Sequence, residues 1–549
     1  MHREMGFGPV NGLLVWPKFP KSYWGQEYAL PLIGKGAVLP PLGLITAAAL
    51  LPRHWNLRLV DLNIELLDDE ALRWADVVMI SAMRIQRESF REVVGRARSL
   101  GKRVVAGGPY VTTDPDEVSG VDHIVTGEAE DVLPDLAQRL EAGAPAPSRL
   151  SAPARPDVSK TPAPRFDLLR IDRYDCMGVQ FSRGCPFSCE FCDIIEIFGR
   201  VPRTKSPQQF LAELDAVRAT GFRGPVFVVD DNIIGNKVAA RKMLARLSSW
   251  SRAHGDPFDF FTEASVNLAD DDGLIAGLVA ANFSAVFLGI ETPSREALLE
   301  TKKRQNTHLD LEQSVEKLVR AGLEVMAGFI VGFDADDESI FERQRAFIAR
   351  SPISMAMIGI LTALPGTQLW RRLAAEGRLH GDAEGDAAYR PNFDPRMPET
   401  ALVEGYGRLL ASLYEPRAYF ARALRAVALQ RHLPAPRYRR SLRYSLRVLF
   451  QSIWRQGVRG RYRRDYWRFL LRAALIAPRR FARAFAQAVH AEHMIRYTFE
   501  DVLPRVAAPP LRRSPRRAPV ADALVPVRRV VEAAAAAAAP VASDCAPSR

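Results

Sequence analysis

Twice along this chain, short apolar runs rich in β-branched residues alternate with helix-length segments, a pattern that specifies a parallel α/β sheet. The first train holds GLLVW (12–16), LRLVD (57–61), DVVMISA (76–82), RVVAGG (103–108) and DHIVTGE (122–128), with a helix-length segment at 87–100. Runs this short and this apolar predict strands buried on both faces, in a doubly wound domain over residues 1–145. Ligands of such sheets bind beyond the carboxyl ends of the strands. Those ends carry Ser81 and Ala82, then Gly107, Gly108 and Pro109, then Thr126, Gly127 and Glu128. Side chains that small let a bulky ligand approach the backbone.

Residues 143–165 are rich in Pro, Ala and Ser and have no periodicity, so a linker is expected over 146–170. A second train follows: MGVQFSRG (177–184), a helix at 207–219, then PVFVVDD (225–231), DFFTEAS (259–265), AVFLGIE (285–291), VMAGFIVGF (325–333) and MAMIGILTA (355–363). These predict a partial or complete parallel β/α barrel over 171–385, with its chemistry at the carboxyl ends of the strands. The pattern then changes to helices dense in Arg and aromatic residues over 386–506, for example 417–430, 436–456 and 461–486. The Pro-, Arg- and Ala-rich segment 507–549 is expected to be disordered.

A formal net charge of +12 admits an anionic partner without selecting one. The longest apolar stretch, residues 37–51, is interrupted by Pro40 and Pro41 and falls short of the roughly 20 residues a membrane span needs. The opening residues do not read as a secretory signal. Of five cysteines, three lie between 185 and 192, which reads as a set of metal ligands in a reducing compartment, so a cytoplasmic protein is expected. Cys185, Cys189 and Cys192 stand as C-x-x-x-C-x-x-C just past a strand end. Three thiolates can hold three irons of a 4Fe-4S cubane and leave the fourth iron open to substrate. Zinc normally takes four protein ligands. No histidine lies in the loop, and Cys176 sits at the far end of the preceding strand, badly placed to be a fourth.

This segment, with Phe191 before the last cysteine, resembles the signature of the radical S-adenosylmethionine superfamily. The resemblance covers about residues 175–370. It implies that S-adenosylmethionine chelates the open iron and is cleaved to a 5'-deoxyadenosyl radical. It also implies roles at successive strand ends: Asp230, Asp231 and Asn232 for the methionine amine, and Glu263 and Ser265 for the ribose. Gly328, Ile330 and Gly332 would pack on the adenine. Gly289, Ile290 and Glu291, with Leu364, Pro365, Gly366 and Thr367, complete the series.

A flavodoxin-like domain directly before such a barrel resembles the cobalamin-binding class. Gly107, Gly108 and Gly127 are then the expected corrin or nucleotide-tail contacts. The D-x-H-x-x-G loop that ligates cobalt in many cobalamin domains is absent. The equivalent loop, Met83-Arg84-Ile85-Gln86, holds no histidine. Residues 177–207 and 493–504 further resemble the subfamily of the hopanoid C-2 methylase. That resemblance implies methyl transfer from cobalamin to an unactivated carbon of a small-molecule or lipid substrate, with electrons from a flavodoxin- or ferredoxin-type reductase. Nucleic acid is not an expected partner. The Arg-rich region could lie peripherally on the inner membrane surface, with Trp454, Tyr462, Tyr466 and Trp467 at the interface. A radical cyclase or rearranging enzyme without methyl transfer, and an iron-sulfur sensor without catalysis, stay open. RNA methylthiotransferases carry three further cysteines in the amino-terminal domain, but no cysteine precedes Cys176 here.

Overall fold

The computed structural model describes residues 9–380, 389–430 and 442–508. The first train forms β1 (Asn11–Trp16), β2 (Asn56–Asp61), β3 (Val77–Ser81), β4 (Arg103–Gly107), β5 (His123–Thr126) and β6 (Arg149–Ser151). They make one parallel sheet in the order β2-β1-β3-β4-β5-β6. Alternation along the strands gives the sheet two buried faces. Leu13, Val15, Val78, Ile80, Val104 and Ala106 enter one core, while Val77, Met79, Val105, Val125 and Leu150 enter the other. The expected strands and the helix Arg87–Ser99 are present within about two residues of the sequence reading. The expected linker is corrected in part, because its residues 149–151 form β6, the edge strand paired with β5.

The second train forms β7 (Met177–Val179), a short antiparallel pair of β8 (Ser182–Arg183) and β9 (Arg203–Thr204), then β10 (Gly224–Val228), β11 (Phe258–Ala264), β12 (Phe283–Glu291), β13 (Glu324–Val331) and β14 (Met355–Ile360). The parallel sheet runs β14-β13-β12-β11-β10-β7, an open barrel with β7 and β14 at its edges. MGVQFSRG is therefore not one strand. It breaks after β7 because buried Asp230 takes the amide of Phe181 at 2.7 Å and the hydroxyl of Ser182 at 2.6 Å, drawing the chain away from β10.

The helix Glu399–Tyr414 covers the β14 edge, and Pro416–Leu429 packs behind it. The Tyr406 hydroxyl donates to Ile358 O at 3.1 Å, and the Tyr414 hydroxyl donates to Ala356 O. Unpaired carbonyls of an edge strand are thereby satisfied by buried phenols. The helix expected over 461–486 is two, Arg463–Ile476 and Phe481–Arg496, separated at Pro478, which cannot supply the amide that continuation requires. Part of the helix expected at 436–456 and most of the expected tail lie outside the described residues. No helix among the described residues is long and apolar enough to cross a membrane.

Two features join the sheets. Residues 36–38 pair with 173–176, and the buried Tyr174 hydroxyl donates to Asp61 at 2.9 Å. More heavily charged is the contact of Arg183, next to the cysteine loop, with Glu128 at 2.6 Å and Glu130 at 2.7 Å, all largely buried. Arg203 adds a second bond to Glu128 at 2.6 Å. Burial pushes the Glu130 carboxyl up, but Arg183 outweighs it and holds the group below its ordinary value. Arg183→Ala would leave the buried Glu130 without its cation and is expected to cost about 3–5 kcal/mol in urea unfolding. Because the folded Glu130 is held low, the pair's contribution is full above the ordinary carboxylate range and is lost as pH falls through it. The difference between wild type and variant should therefore shrink in acid.

Candidate active site

The cysteine loop is shaped by its backbone. Gly184 has φ +94°, and a Cβ there would lie 2.7 Å from Gly199 O, so only glycine admits the turn. The Gly184 amide donates to Asp231 at 3.1 Å. Cys189 is buried and Cys185 and Cys192 are partly exposed, and each lies close enough for its charge to act on the others. Burial pushes the Cys185 and Cys192 thiols up, so they become thiolates only when a bound cation compensates. Among the described residues no three His, Cys, Asp or Glu side chains converge on a point as a single ion demands. A cubane distributes its thiolates over separate irons, and a donor set of three cysteines on one loop suits it. Asn232 Nδ2 lies 3.9 Å from Cys185 Sγ, and Gln305 Nε2 lies 3.5 Å from Cys189 Sγ. Such N–H donors to sulfur tune a cluster's potential. The Cys176 thiol instead donates to Val38 O at 3.2 Å, inside the junction between the sheets. Cys545 lies outside the described residues.

Beyond the triad, Asn232 also donates to Ser265 Oγ at 3.1 Å, and Ser265 donates to Asn267 at 2.5 Å. Burial pushes Asp230 to about 6. Burial and then the neighbouring carboxyls push Asp231 to about 7 and Glu263 to about 8. This group is short of cations and donors, which an ammonium and ribose hydroxyls would supply. Asp230 itself is spent on the strand before the cysteines, as described above, so its part is to position them. Glu291 sits at the end of β12 with φ +66°, where the register with β13 slips, and pairs with buried Lys303. The charges of Cys189 and Cys192 act on Lys303 as well.

A cavity of about 420 Å³ opens above these strand ends. Glu291, Gly328 and Ile330 line it, together with Phe191, Phe287 and Met357. Gly332 does not: its amide donates to Asp336 at 2.9 Å, and it packs against Leu402. Met83, Arg84, Ile85 and Pro109 enter from the first sheet, and Arg84 is paired with Asp114. Tyr389, Tyr406 and Tyr497 enter from the helical region. A further wall is Ser22, Tyr23 and Trp24, an arm between β1 and β2. Trp24 leans on Phe287 at 4.8 Å between ring centres. The arm is tied to the far end of the chain: Tyr23 to Thr498 at 2.7 Å, Tyr28 to Asp501 at 2.7 Å, and His493 Nε2 to Ser22 O at 2.9 Å. Burial pushes His493 down to about 4, so at neutral pH it is an uncharged strut. The sequence reading missed the arm, Lys303, Gln305 and the three tyrosines. Only the segment 493–504, singled out by its resemblance, pointed towards them.

A second cavity of about 280 Å³ lies between the sheets and is lined by all three expected glycines, Gly107, Gly108 and Gly127. Leu42, Leu44, Met79, Val125 and Val229 make its apolar walls, and Pro109 lines both cavities. Gly108 has φ +93°, and a Cβ would meet Ser81 Oγ at 2.5 Å. No histidine lines either cavity among the described residues.

Comparison with known proteins matches residues 35–137 to a B12 binding domain, 179–345 to the radical SAM superfamily and 367–502 to a domain of unknown function, DUF4070. An uncharacterised methyltransferase of Synechocystis is 42% identical over 89% of this chain and 92% of its own length. The hopanoid C-2 methylase of Rhodopseudomonas palustris is 34% identical over 86% of this chain and 91% of its own. The chain belongs to the cobalamin-dependent radical S-adenosylmethionine methyltransferases. Its fold is also that of the radical methyltransferase TsrM of Kitasatospora setae, solved with cobalamin and a 4Fe-4S cluster. That likeness has a TM-score of 0.55 at 17% identity, covering 67% of this chain and 75% of the other. The cobalamin-dependent radical enzyme OxsB gives a TM-score of 0.58 at 12% identity over 90% and 84%.

The cofactors of this methyltransferase are thus a 4Fe-4S cluster, S-adenosylmethionine and cobalamin. We propose that Cys185, Cys189 and Cys192 hold the cluster and that Asp231, Asn232, Glu263, Ser265, Glu291, Gly328 and Ile330 face S-adenosylmethionine. We assign Gly107, Gly108 and Gly127 to cobalamin. Replacing any one of the three cysteines by Ala should abolish both iron-sulfur absorbance and 5'-deoxyadenosine formation, while Cys176→Ala should keep both. At Gly107 an added Cβ meets nothing closer than Val125 O at 3.5 Å, so Gly107→Leu should fold and project into the second cavity. Its bound cobalamin, read by absorbance, should fall about tenfold or more, a loss of at least ~1.4 kcal/mol. Cobalamin in the wild-type protein should lack nitrogen superhyperfine splitting in its cob(II)alamin electron paramagnetic resonance spectrum.

Proposed function

We propose that this enzyme methylates an unactivated carbon of a polycyclic triterpenoid of the hopanoid type. The observation that carries the reading is the lining of the larger cavity, where strand ends of both sheets meet aromatic and aliphatic side chains. Phe191, Phe287, Phe329, Ile330, Met357, Ile360, Leu361 and Leu364 outnumber the charged Arg84, Asp193 and Glu291, of which Arg84 and Glu291 are paired within the protein. A fused hydrocarbon ring system suits such walls, since burial of apolar area provides affinity without demanding polar partners. Its relatives include the hopanoid C-2 methylase, already described, and a hopanoid C-3 methylase of Methylococcus capsulatus that is 26% identical over 60% of this chain.

When bound, the cofactors supply a hydrogen-abstracting radical and a transferable methyl group, which an sp3 carbon requires because it offers no nucleophile. The chain's own side chains orient and exclude. Trp24 and Phe287 pack together at the barrel mouth, and beside them Tyr23 meets the Tyr497 ring edge to face while the Tyr497 hydroxyl is hydrogen-bonded to Tyr389. Electrons come from a reduced flavodoxin or ferredoxin in this reading, in the cytoplasm or at the inner membrane surface.

The test is anaerobic turnover by the reconstituted full chain with S-adenosylmethionine labelled in its methyl group, followed by mass spectrometry of triterpenoid products. One labelled methyl on a ring carbon is expected. Rearranged product without added methyl would overturn methyl transfer, and labelled product only on soluble substrates would overturn the lipid assignment. Trp24→Ala should raise KM for the triterpenoid about tenfold while leaving uncoupled 5'-deoxyadenosine release in place, as one aromatic contact is worth about 0.5–1.5 kcal/mol beyond its area.

A further inference from the structure

The positive charge of the chain is concentrated in one short stretch. Residues 442–481 hold eleven arginines and a single acid, Asp465, a formal +10 against +12 for the whole sequence. The stretch folds as the helices Leu442–Ser452 and Arg463–Ile476, joined through a π-helical turn at Ile453–Val458. Nine of its arginines are exposed (443, 447, 459, 461, 463, 464, 468, 472 and 479), and among the described residues none of them makes an ion pair.

The same helices turn apolar side chains outward. Leu442, Leu446, Leu449 and Phe450 follow a helical stripe on the first, and Trp467, Leu471 and Leu475 follow another on the second. Leu442 is 74% exposed and Leu475 82%. Trp454 stacks on Phe450 with Arg459 over its ring, and Trp467 packs on Gly457, so the turn connects the stripes. The inward face of the second helix is separately satisfied by Tyr466, Phe469, Leu470 and Ala473. Of the four aromatics the sequence reading placed at an interface, Trp454 and Trp467 are exposed, whereas Tyr462 and Tyr466 are buried. The two tyrosines are corrected to core residues: Tyr462 donates to Glu492 at 2.6 Å, and Tyr466 meets Ser452 at 3.0 Å.

We propose that this helical pair docks on the surface of an anionic lipid bilayer. Leucines and tryptophans flanked by exposed arginines are the composition of a helix that lies in the headgroup region, apolar stripe downward and guanidinium groups on phosphates. Charge complementarity selects this occupant. A second copy of the chain would bring a like charge of +10 to the same interface. Single-stranded nucleic acid stacks on aromatic platforms, whereas most of the exposed apolar side chains here are aliphatic. The surface also connects to the larger cavity. Val448 of the first helix packs with Ala29 and Leu32, and Arg447 lies over Gly34, in the segment that continues directly from Ser22, Tyr23 and Trp24. Docking would hold the cavity wall at the membrane, which supports the lipid substrate proposed above and rests on that reading only for its purpose.

Co-sedimentation of the full chain with phosphatidylcholine vesicles, with and without phosphatidylglycerol, tests this. Binding should need phosphatidylglycerol and weaken about tenfold or more as salt is raised. The double variant Leu471→Asp, Leu475→Asp changes exposed positions only and should lose binding while keeping 5'-deoxyadenosine formation in detergent. Arg463→Gln with Arg464→Gln and Arg468→Gln should weaken binding without changing that activity. Indifference to anionic vesicles at low salt, full binding by the leucine variant, dimerisation through this face, or preference for RNA over vesicles would each overturn the proposal. Triterpenoid methylation in micelles by a protein that ignores vesicles would sink this inference alone. Vesicle binding without any methylated triterpenoid would sink the substrate reading alone.

Discussion

Arg183 is bonded to Glu128 and Glu130 across the join between the sheets, two residues before the first cysteine of the triad. A buried guanidinium shared by two carboxylates has one good geometry, and moving either sheet breaks it. Glu128 follows Gly127, which lines the smaller cavity, while Arg183 precedes the turn at Gly184 that aims Cys185. This charged cluster therefore sets the distance between the smaller cavity and the cysteine loop. Asp230 repeats the device within the barrel by bending the chain between β7 and β8, and Asp231 holds the amide at Gly184. Carboxylates that sequence resemblance assigns to a cofactor thus act first on the backbone that leads into the cysteines.

That division explains what the sequence could and could not disclose. Strand positions were legible because burial on both faces forces apolar runs, and the helix Pro207–Ala219 coincides with its expected span. That Gly107, Gly108 and Gly127 share one cavity was legible because strand ends of a parallel sheet lie side by side. β6 was not, since a three-residue edge strand has no period to read. Gly332 fitted a strand motif, yet β13 has ended by then, and the residue faces Leu402 rather than the cavity. The wall of Ser22, Tyr23 and Trp24 could not be found locally, because the bonds that place it span more than 470 residues, as from Tyr23 to Thr498. The buried positions of Tyr462 and Tyr466 are likewise decided by tertiary packing, as aromatics beside arginines read the same whether they face lipid or a core.

The helical region does two jobs with opposite surfaces. Its inner side satisfies the β14 edge and lends Tyr389, Tyr406 and Tyr497 to the cavity, whereas its outer side exposes leucines that a solvated helix would bury. This division describes the segment matched as DUF4070: it covers the barrel edge on one face and exposes apolar side chains on the other.

The strapping of residues 22–28 to 493–501 also sets an order of events during synthesis. The small cavity draws on residues 42–229, so it can form early, whereas the cysteine loop waits for Thr301, Gln305 and Arg372, which bond Glu190 and Cys189. The larger cavity gains its last wall only after residue 501 emerges. A growing chain thus builds its smaller cavity first and its cysteine loop next, and the larger cavity is enclosed last, when the two ends of the strap meet.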